Sequence, residues 1–273
     1  MKFLGSLVLC LAVGLGACGD DHDHDGHDHS DTHTEQDHGG EHTPVELTST
    51  LTISDWLSGG PLEGVELCYV IEGEDGKVDE CASTNSDGVV SFTATVHDGD
   101  TVEARADKEG YFPFLMQGQL DEPVGGVIES SWVMAASDSL DLLTGVLGAE
   151  IKADKGHATV VVWGPADSEG VRAPLVGAKV AIDGAAEFGP EYLNPAEDFG
   201  TAGPFADAEG GLTAGGLVAF FNIDPATVNV TVTAEGHTCA PGLSGLPSAS
   251  GAVSGKVEAG RVSYLIAFCE PTP

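Results

Sequence analysis

From Val45 onward, apolar and polar residues alternate in short runs bounded by Gly, Asp, Asn and Pro, the pattern of half-buried β-strands. The alternation predicts strands over Glu46–Ser54, Val65–Ile71, Val78–Ser83, Gly88–Val96, Thr101–Ala106 and Val127–Ala135. A second set covers Ala158–Gly164, Ala178–Asp183, Leu217–Ile223, Thr227–Ala234, and Ser254–Cys269 with a break at Ala259-Gly260. Helical spacing is confined to Ser139–Gly148, where Leu140, Leu143 and Leu147 share one face. The expected fold class is therefore all-β.

The two sets repeat one another. Pro61-Leu62-Glu63-Gly64-Val65 corresponds to Pro174-Leu175-Val176-Gly177-Ala178, and Gly88-Val89-Val90-Ser91-Phe92 to Gly216-Leu217-Val218-Ala219-Phe220. Thr101-Val102-Glu103 through Glu109-Gly110-Tyr111 matches Thr227-Val228-Asn229 through Glu235-Gly236-His237 without a gap. In each copy a Pro-Leu-x-Gly turn opens a strand, a glycine turn leads into an aromatic strand, and a Gly-aromatic pair closes the unit. These shared residues resemble the carboxypeptidase regulatory-like family, a transthyretin-type β-sandwich. The second copy departs from that pattern by an insertion between Asp183 and Gly215 and by His237 in place of tyrosine. The resemblance implies two tandem Greek-key β-sandwich domains, residues 45–137 and 157–273, joined by a linker over 138–156. It also implies accessory or binding roles, some with a carbohydrate-binding-like fold, and it transfers no catalytic residue.

The pattern before Val45 is different. Lys2 precedes an apolar run from Leu4 to Leu15 that is too short to span a bilayer, and the run ends Leu15-Gly16-Ala17-Cys18. This resembles the lipobox of bacterial lipoproteins and implies a signal peptide over 1–17, cleavage before Cys18, and lipid on the Cys18 thiol. Several acyl chains on one residue suffice for stable membrane attachment. Gly19 rather than an aspartate follows the cysteine, so the expected address is the cell envelope, at the outer membrane.

Residues 18–44 read as a disordered tether. From Asp20 to His42 the chain has nine acids, seven histidines and no aliphatic or aromatic side chain. Imidazole alternates with carboxylate through His22, Asp23, His24, Asp25, His27, Asp28 and His29, with His33, His38 and His42 nearby, a donor set suited to Zn, Cu or Ni. It looks like the His/Asp-rich segments of periplasmic zinc-uptake proteins. Asp21-x-Asp23-x-Asp25-Gly26 also opens like a calcium loop, but the twelfth position is Thr32 instead of glutamate. Divalent cations are thus expected partners, and no cofactor is required.

The formal charge of the chain is −34, and loss of residues 1–17 removes one base, Lys2, and no acid. Such a polyanion argues against nucleic acid as a partner and leaves membrane attachment to the lipid. Of six cysteines, Cys10 leaves with the signal and Cys18 is acylated. Cys68 and Cys81 flank a turn centred on Glu74-Asp75, which places them opposite each other on paired strands. Cys239 and Cys269 then pair by default, and both bridges fit an oxidising compartment.

No Gly-x-Ser-x-Gly, His-Glu-x-x-His or Walker motif occurs in the sequence. His97, His157 and His237 fall in or near predicted turns and read as solvent-exposed turn residues. Trp56, Trp132, Trp163, Tyr69 and Tyr192 offer a sugar-stacking face, although in a sandwich with few aromatics most are expected in the core. The sequence therefore points to a nonenzymatic envelope lipoprotein acting as a binding or interaction module. The alternatives are a carbohydrate-binding surface protein and an accessory subunit of an extracytoplasmic enzyme or transporter.

Overall fold

The computed structural model of the chain describes residues 43–272 apart from 74–75, 122–124, 169, 196–197, 199–201, 208, 243 and 249–252. Cys18 and the tether residues from His22 to His42 lie outside these described residues.

The first repeat contributes β1 (Val45–Asp55), β2 (Glu66–Gly73), β3 (Gly76–Ser83), β4 (Val89–Val96), β5 (Thr101–Asp107), β6 (Phe114–Gln119) and β7 (Gly126–Met134). Helix α1 (Ser137–Leu147) follows, and Gly148 in the left-handed conformation closes it. The second repeat contributes β8 (Gly156–Ala166), β9 (Arg172–Pro174), β10 (Lys179–Ile182), β11 (Phe188–Tyr192), β12 (Leu217–Ile223), β13 (Ala226–Thr233), β14 (His237–Pro241), β15 (Leu246–Pro247), β16 (Val253–Val257) and β17 (Val262–Pro271).

The two repeats fold alike, as two β-sandwiches. In the first, the sheet β4-β1-β7 faces the strands β6-β5-β2-β3; in the second, β12-β8-β17 faces β10-β13-β16-β15. The first and last strands of each repeat pair in parallel, β1 with β7 and β8 with β17. Alternation along β1 sends Leu51 and Ile53 inward and leaves Thr48 and Thr50 outside, where they hydrogen-bond to Thr93 and Ser91 on β4. Leu51, Ile53, Phe92, Leu67, Ala104 and Phe114 form the first core; Val160, Phe220, Val230 and Leu265 belong to the second.

The repeated turns are built from the same hydrogen bonds. Leu62 N–H donates to the Ile53 carbonyl and Leu175 N–H to that of Val162, while Gly88 and Gly216 donate to the carbonyls of Asn85 and Thr213. Gly88 and Gly216 have φ of 74° and 72°, and a Cβ on Gly88 would stand 2.4 Å from the Ile53 carbonyl oxygen. Glycine is thus required there by both conformation and space.

The sandwiches do not merely follow one another along the chain. Val262–Tyr264 of β17 pair in parallel with Phe114–Met116 of β6, so the second repeat's β12-β8-β17 sheet continues into the first repeat's β6-β5-β2-β3. Polar contacts flank this seam: Arg105 Nη2 lies 2.8 Å from Glu258 Oε1, and Arg261 Nη2 donates to both oxygens of Asp107 at 2.9 and 3.1 Å.

Both expected disulfides are present, Cys68–Cys81 directly opposite on β2 and β3 and Cys239–Cys269 opposite on β14 and β17. They close loops of 13 and 30 residues, worth roughly 3–4 kcal/mol each by loop entropy.

Candidate functional site

Each strand of the continuous sheet has two faces, and in the second repeat only one of them enters the sandwich core. On β8 the core takes Ala158, Val160 and Val162, which leaves His157, Thr159, Val161 and Trp163 on the other side. That side faces the same way as the inner face of the first sandwich, because Phe114 and Met116 on β6 are register partners of Val262 and Tyr264 on β17. Helix α1 covers part of it, with Leu140 packed among Leu193, Ala219 and Phe221. The uncovered remainder is an apolar trough of about 1280 Å³ that runs across the seam into the first sandwich.

Aromatic residues from both repeats line the trough. Trp56, Trp132, Trp163 and Tyr69 all reach it, half-buried. Trp132 meets Phe114 edge-on at 5.1 Å, and Tyr69 meets Phe92 at 4.7 Å. Desolvation pushes the phenol groups of Tyr69 and Tyr264 up to about 12. Tyr69 and Trp132 pack against the first core and Trp56 against the cluster around Leu140, so these rings border the core while one side of each reaches the trough; Tyr192 lies wholly inside. Tyr192 is 1% exposed inside the second sandwich, where its hydroxyl accepts from Val180 N–H at 2.9 Å.

Two of the three folded-region histidines depart from the expectation of exposed turn residues. His97 is buried at the turn after β4, its N–H donating to Asp100 Oδ2 at 2.8 Å. His157 is 1% exposed at the start of β8 and lies in the trough wall. The strand begins earlier than its aliphatic run suggests; the period-two series Trp163, Val161, Thr159, read backward, arrives at His157. Only His237, half-buried on β14 with Nδ1 2.8 Å from the Glu235 carbonyl oxygen, stays at the surface.

The environment of His157 is set by a bulge. The pairing of β12 with β8 shifts register between Phe220 and Ile223, and within the shift Asn222 takes φ of 55°. Three side-chain hydrogen bonds hold Asn222 there: Nδ2 donates to the Glu150 carbonyl and to Glu187 Oε2, and Oδ1 accepts from Lys152 N–H. So fixed, Asn222 directs its backbone N–H at His157 Nδ1, 3.2 Å away. Since Nδ1 accepts, the proton of the neutral ring is on Nε2. Phe112 and Phe221 pack against the ring at 5.7 and 5.9 Å, and burial pushes its pKa down to about 4. The ring is therefore neutral at pH 7, and Nε2 has no hydrogen-bond partner among the described residues.

Charge touches the trough at its rim. Arg172 lies at the Trp163 end, over Phe268 at 4.6 Å, and donates to Glu270 Oε1 at 2.6 Å, so its charge is already matched. Glu66, Cys68 and Cys81 come close enough together to hold a cation, but both sulfurs are spent in a disulfide and cannot serve as thiolate ligands.

No protein-family model matches the chain, and no curated protein does. Among solved structures, the minor pilin of Streptococcus agalactiae overlaps 84% of this chain and 97% of its own at 12% identity and a TM-score of 0.27. The hydroxyquinol 1,2-dioxygenase of Pseudomonas putida DLL-E4 overlaps 35% of this chain at 12% identity and a TM-score of 0.29. The TIE protein of Bacillus anthracis overlaps 82% at 15% identity and a TM-score of 0.27. The chain spans 58% of the length of the dioxygenase and 34% of the TIE protein.

Proposed function

We propose that this chain is a nonenzymatic, extracytoplasmic binding module that takes up an elongated apolar ligand in the trough that runs across the seam into its first sandwich. The trough itself carries the reading: a concave, aromatic-lined surface of this size is left uncovered on a protein otherwise rich in surface charge. His157 and Trp163 share one face of β8 six residues apart, which gives a length of roughly 20 Å at about 3.3 Å per residue. A ligand with twelve buried methylenes gains on the order of 10 kcal/mol gross at about 0.8 kcal/mol each. An association cost of at least about 4 kcal/mol leaves at most about 6 kcal/mol, a Kd of roughly tens of micromolar at the tightest. The rings that Trp132 meets in the trough are those of Phe114 and Tyr69.

Tryptophans in the trough make the test direct. Titration with N-phenyl-1-naphthylamine, which brightens in apolar surroundings, is expected to give saturable binding with energy transfer from tryptophan. Brightening that never saturates and shows no transfer would remove this reading.

Two disulfides fit an oxidising compartment, and among the described residues no helix is long and apolar enough to cross a membrane. We place the protein in the bacterial envelope on these grounds and on the lipobox, with lipid on Cys18 and outer-membrane residence as parts of the proposal. The matching turn hydrogen bonds support reading the sandwiches as two carboxypeptidase-regulatory-like copies. The segment Asp20–His42 supplies a second activity, collection of Zn, Cu or Ni beside the membrane, favoured by its seven histidines among nine acids. Calorimetry on the soluble mature chain should show this binding, and a chain starting at Thr43 should lack it. Equal affinity in both would assign the metal to the sandwiches instead.

A further inference from the structure

The reading of the trough as an apolar binding site leaves the ligand's polar end unspecified, and His157 bears on it. A buried donor without an acceptor costs free energy that water repays in the unfolded chain, and such groups are rare in folded proteins. Here the donor is fixed on purpose: the bulge at Asn222 commits Nδ1 as an acceptor and thereby leaves the proton on Nε2. Phe112 and Phe221 pack against the ring, and Leu140 of α1 packs in the same cluster as both.

We infer that the trough takes a ligand with a long apolar chain and an uncharged hydrogen-bond acceptor, an ester carbonyl or a hydroxyl oxygen, and that His157 Nε2–H donates to that acceptor at the buried end. The chemistry excludes a carboxylate as the favoured head group. One neutral donor does not repay the desolvation of a full charge, and Arg172, the cation at the rim, is occupied by Glu270 and lies at the far end of β8. The ring's preference for the neutral state points the same way.

This inference rests on the trough being a ligand site, and the experiment separates the two. Dodecane, methyl laurate, dodecanol and laurate are compared as displacers of N-phenyl-1-naphthylamine from the full chain at pH 7. Methyl laurate and dodecanol are expected to bind about five- to tenfold tighter than dodecane, the gain of one buried hydrogen bond, and laurate is expected to bind more weakly than its ester. His157→Phe should erase that preference while leaving dodecane affinity in place, and His157→Gln, which keeps a donor, should restore part of it. Nitrogen-15 NMR of the native protein gives a readout independent of any variant. The Nε2–H resonance of His157 should move on addition of methyl laurate and stay in place with dodecane. Equal affinity for all four displacers with an unmoved resonance overturns the inference and leaves the trough reading intact. Failure of the dye and every displacer to bind overturns both. So does a chain that self-associates with its trough closed to the dye.

Discussion

A histidine with burial and no charged neighbour against its ring has a stability signature of its own. The ring of His157 meets Phe112, Phe221 and the Asn222 backbone; Glu187 and Lys152 bond to Asn222 and to each other. Its pKa is about 4 in the folded chain against an ordinary 6.5. Between those values the unfolded chain binds a proton that the native one does not. The resulting stability is therefore complete above pH 6.5 and is lost as pH falls toward 4, by on the order of 3 kcal/mol. Carboxylates with lowered pKa act in a more acidic window: Asp183, held down by the backbone and side-chain N–H groups of Asn229, starts from 3.8. Urea unfolding of the native protein and of His157→Phe at pH 7 and pH 4.5 isolates the term. The native chain is expected to lose about 2–3 kcal/mol more than the variant over that interval. Parallel pH dependence in the two proteins would mean that the ring is hydrated and free to ionise.

At the scale of elements, legibility in the sequence followed how each strand is buried. Strands with one face to the core and one to solvent, such as β1 and β4, alternate and were read with nearly their observed bounds. The paired turns were legible too, because Gly88 and Gly216 satisfy the same backbone demand. Alternation predicts no strand at β6. Its consecutive Phe114, Leu115 and Met116 break the alternation because both faces are covered, Leu115 being 1% exposed on the side opposite Phe114. Strand β11 escaped for another reason: it lies in the insertion after Asp183, where Gly and Pro obscure the period, although it delivers Tyr192 to the second core. The trough inherits the first of these omissions. Its floor crosses β6, and its wall begins at His157, one residue before the run of small and β-branched residues that marks β8. Tryptophan content named three of its residues, Trp56, Trp132 and Trp163, but composition does not say that they converge.

At the scale of the molecule, the seam between β6 and β17 decides whether two sandwiches behave as one. Backbone pairing there spans three residue pairs, Phe114–Met116 with Val262–Tyr264. It is extended by Lys256 N–H donating to Gln117 Oε1 at 2.9 Å and by the ion pairs Arg105–Glu258 and Arg261–Asp107. These charges are only partly buried, with Asp107 46% exposed, so each pair is worth about 1 kcal/mol after screening. That is a modest sum, but it is concentrated where, among the described residues, the sheet continues from repeat to repeat. Apolar contact adds to it, since Phe114 and Met116 from one side and Val262 and Tyr264 from the other floor the same trough. The native chain should therefore unfold in a single calorimetric transition. Joint replacement of Arg105 and Arg261 by alanine should split that transition in two, or lower it by the few degrees that about 2 kcal/mol represents in a chain of this size. The same variant should bind the apolar dye more weakly, because parting the seam divides the trough floor. Saturating ligand should then restore a single transition by linkage. Two transitions in the native protein, unmoved by ligand, would show instead that the sandwiches are independent and that the trough does not couple them.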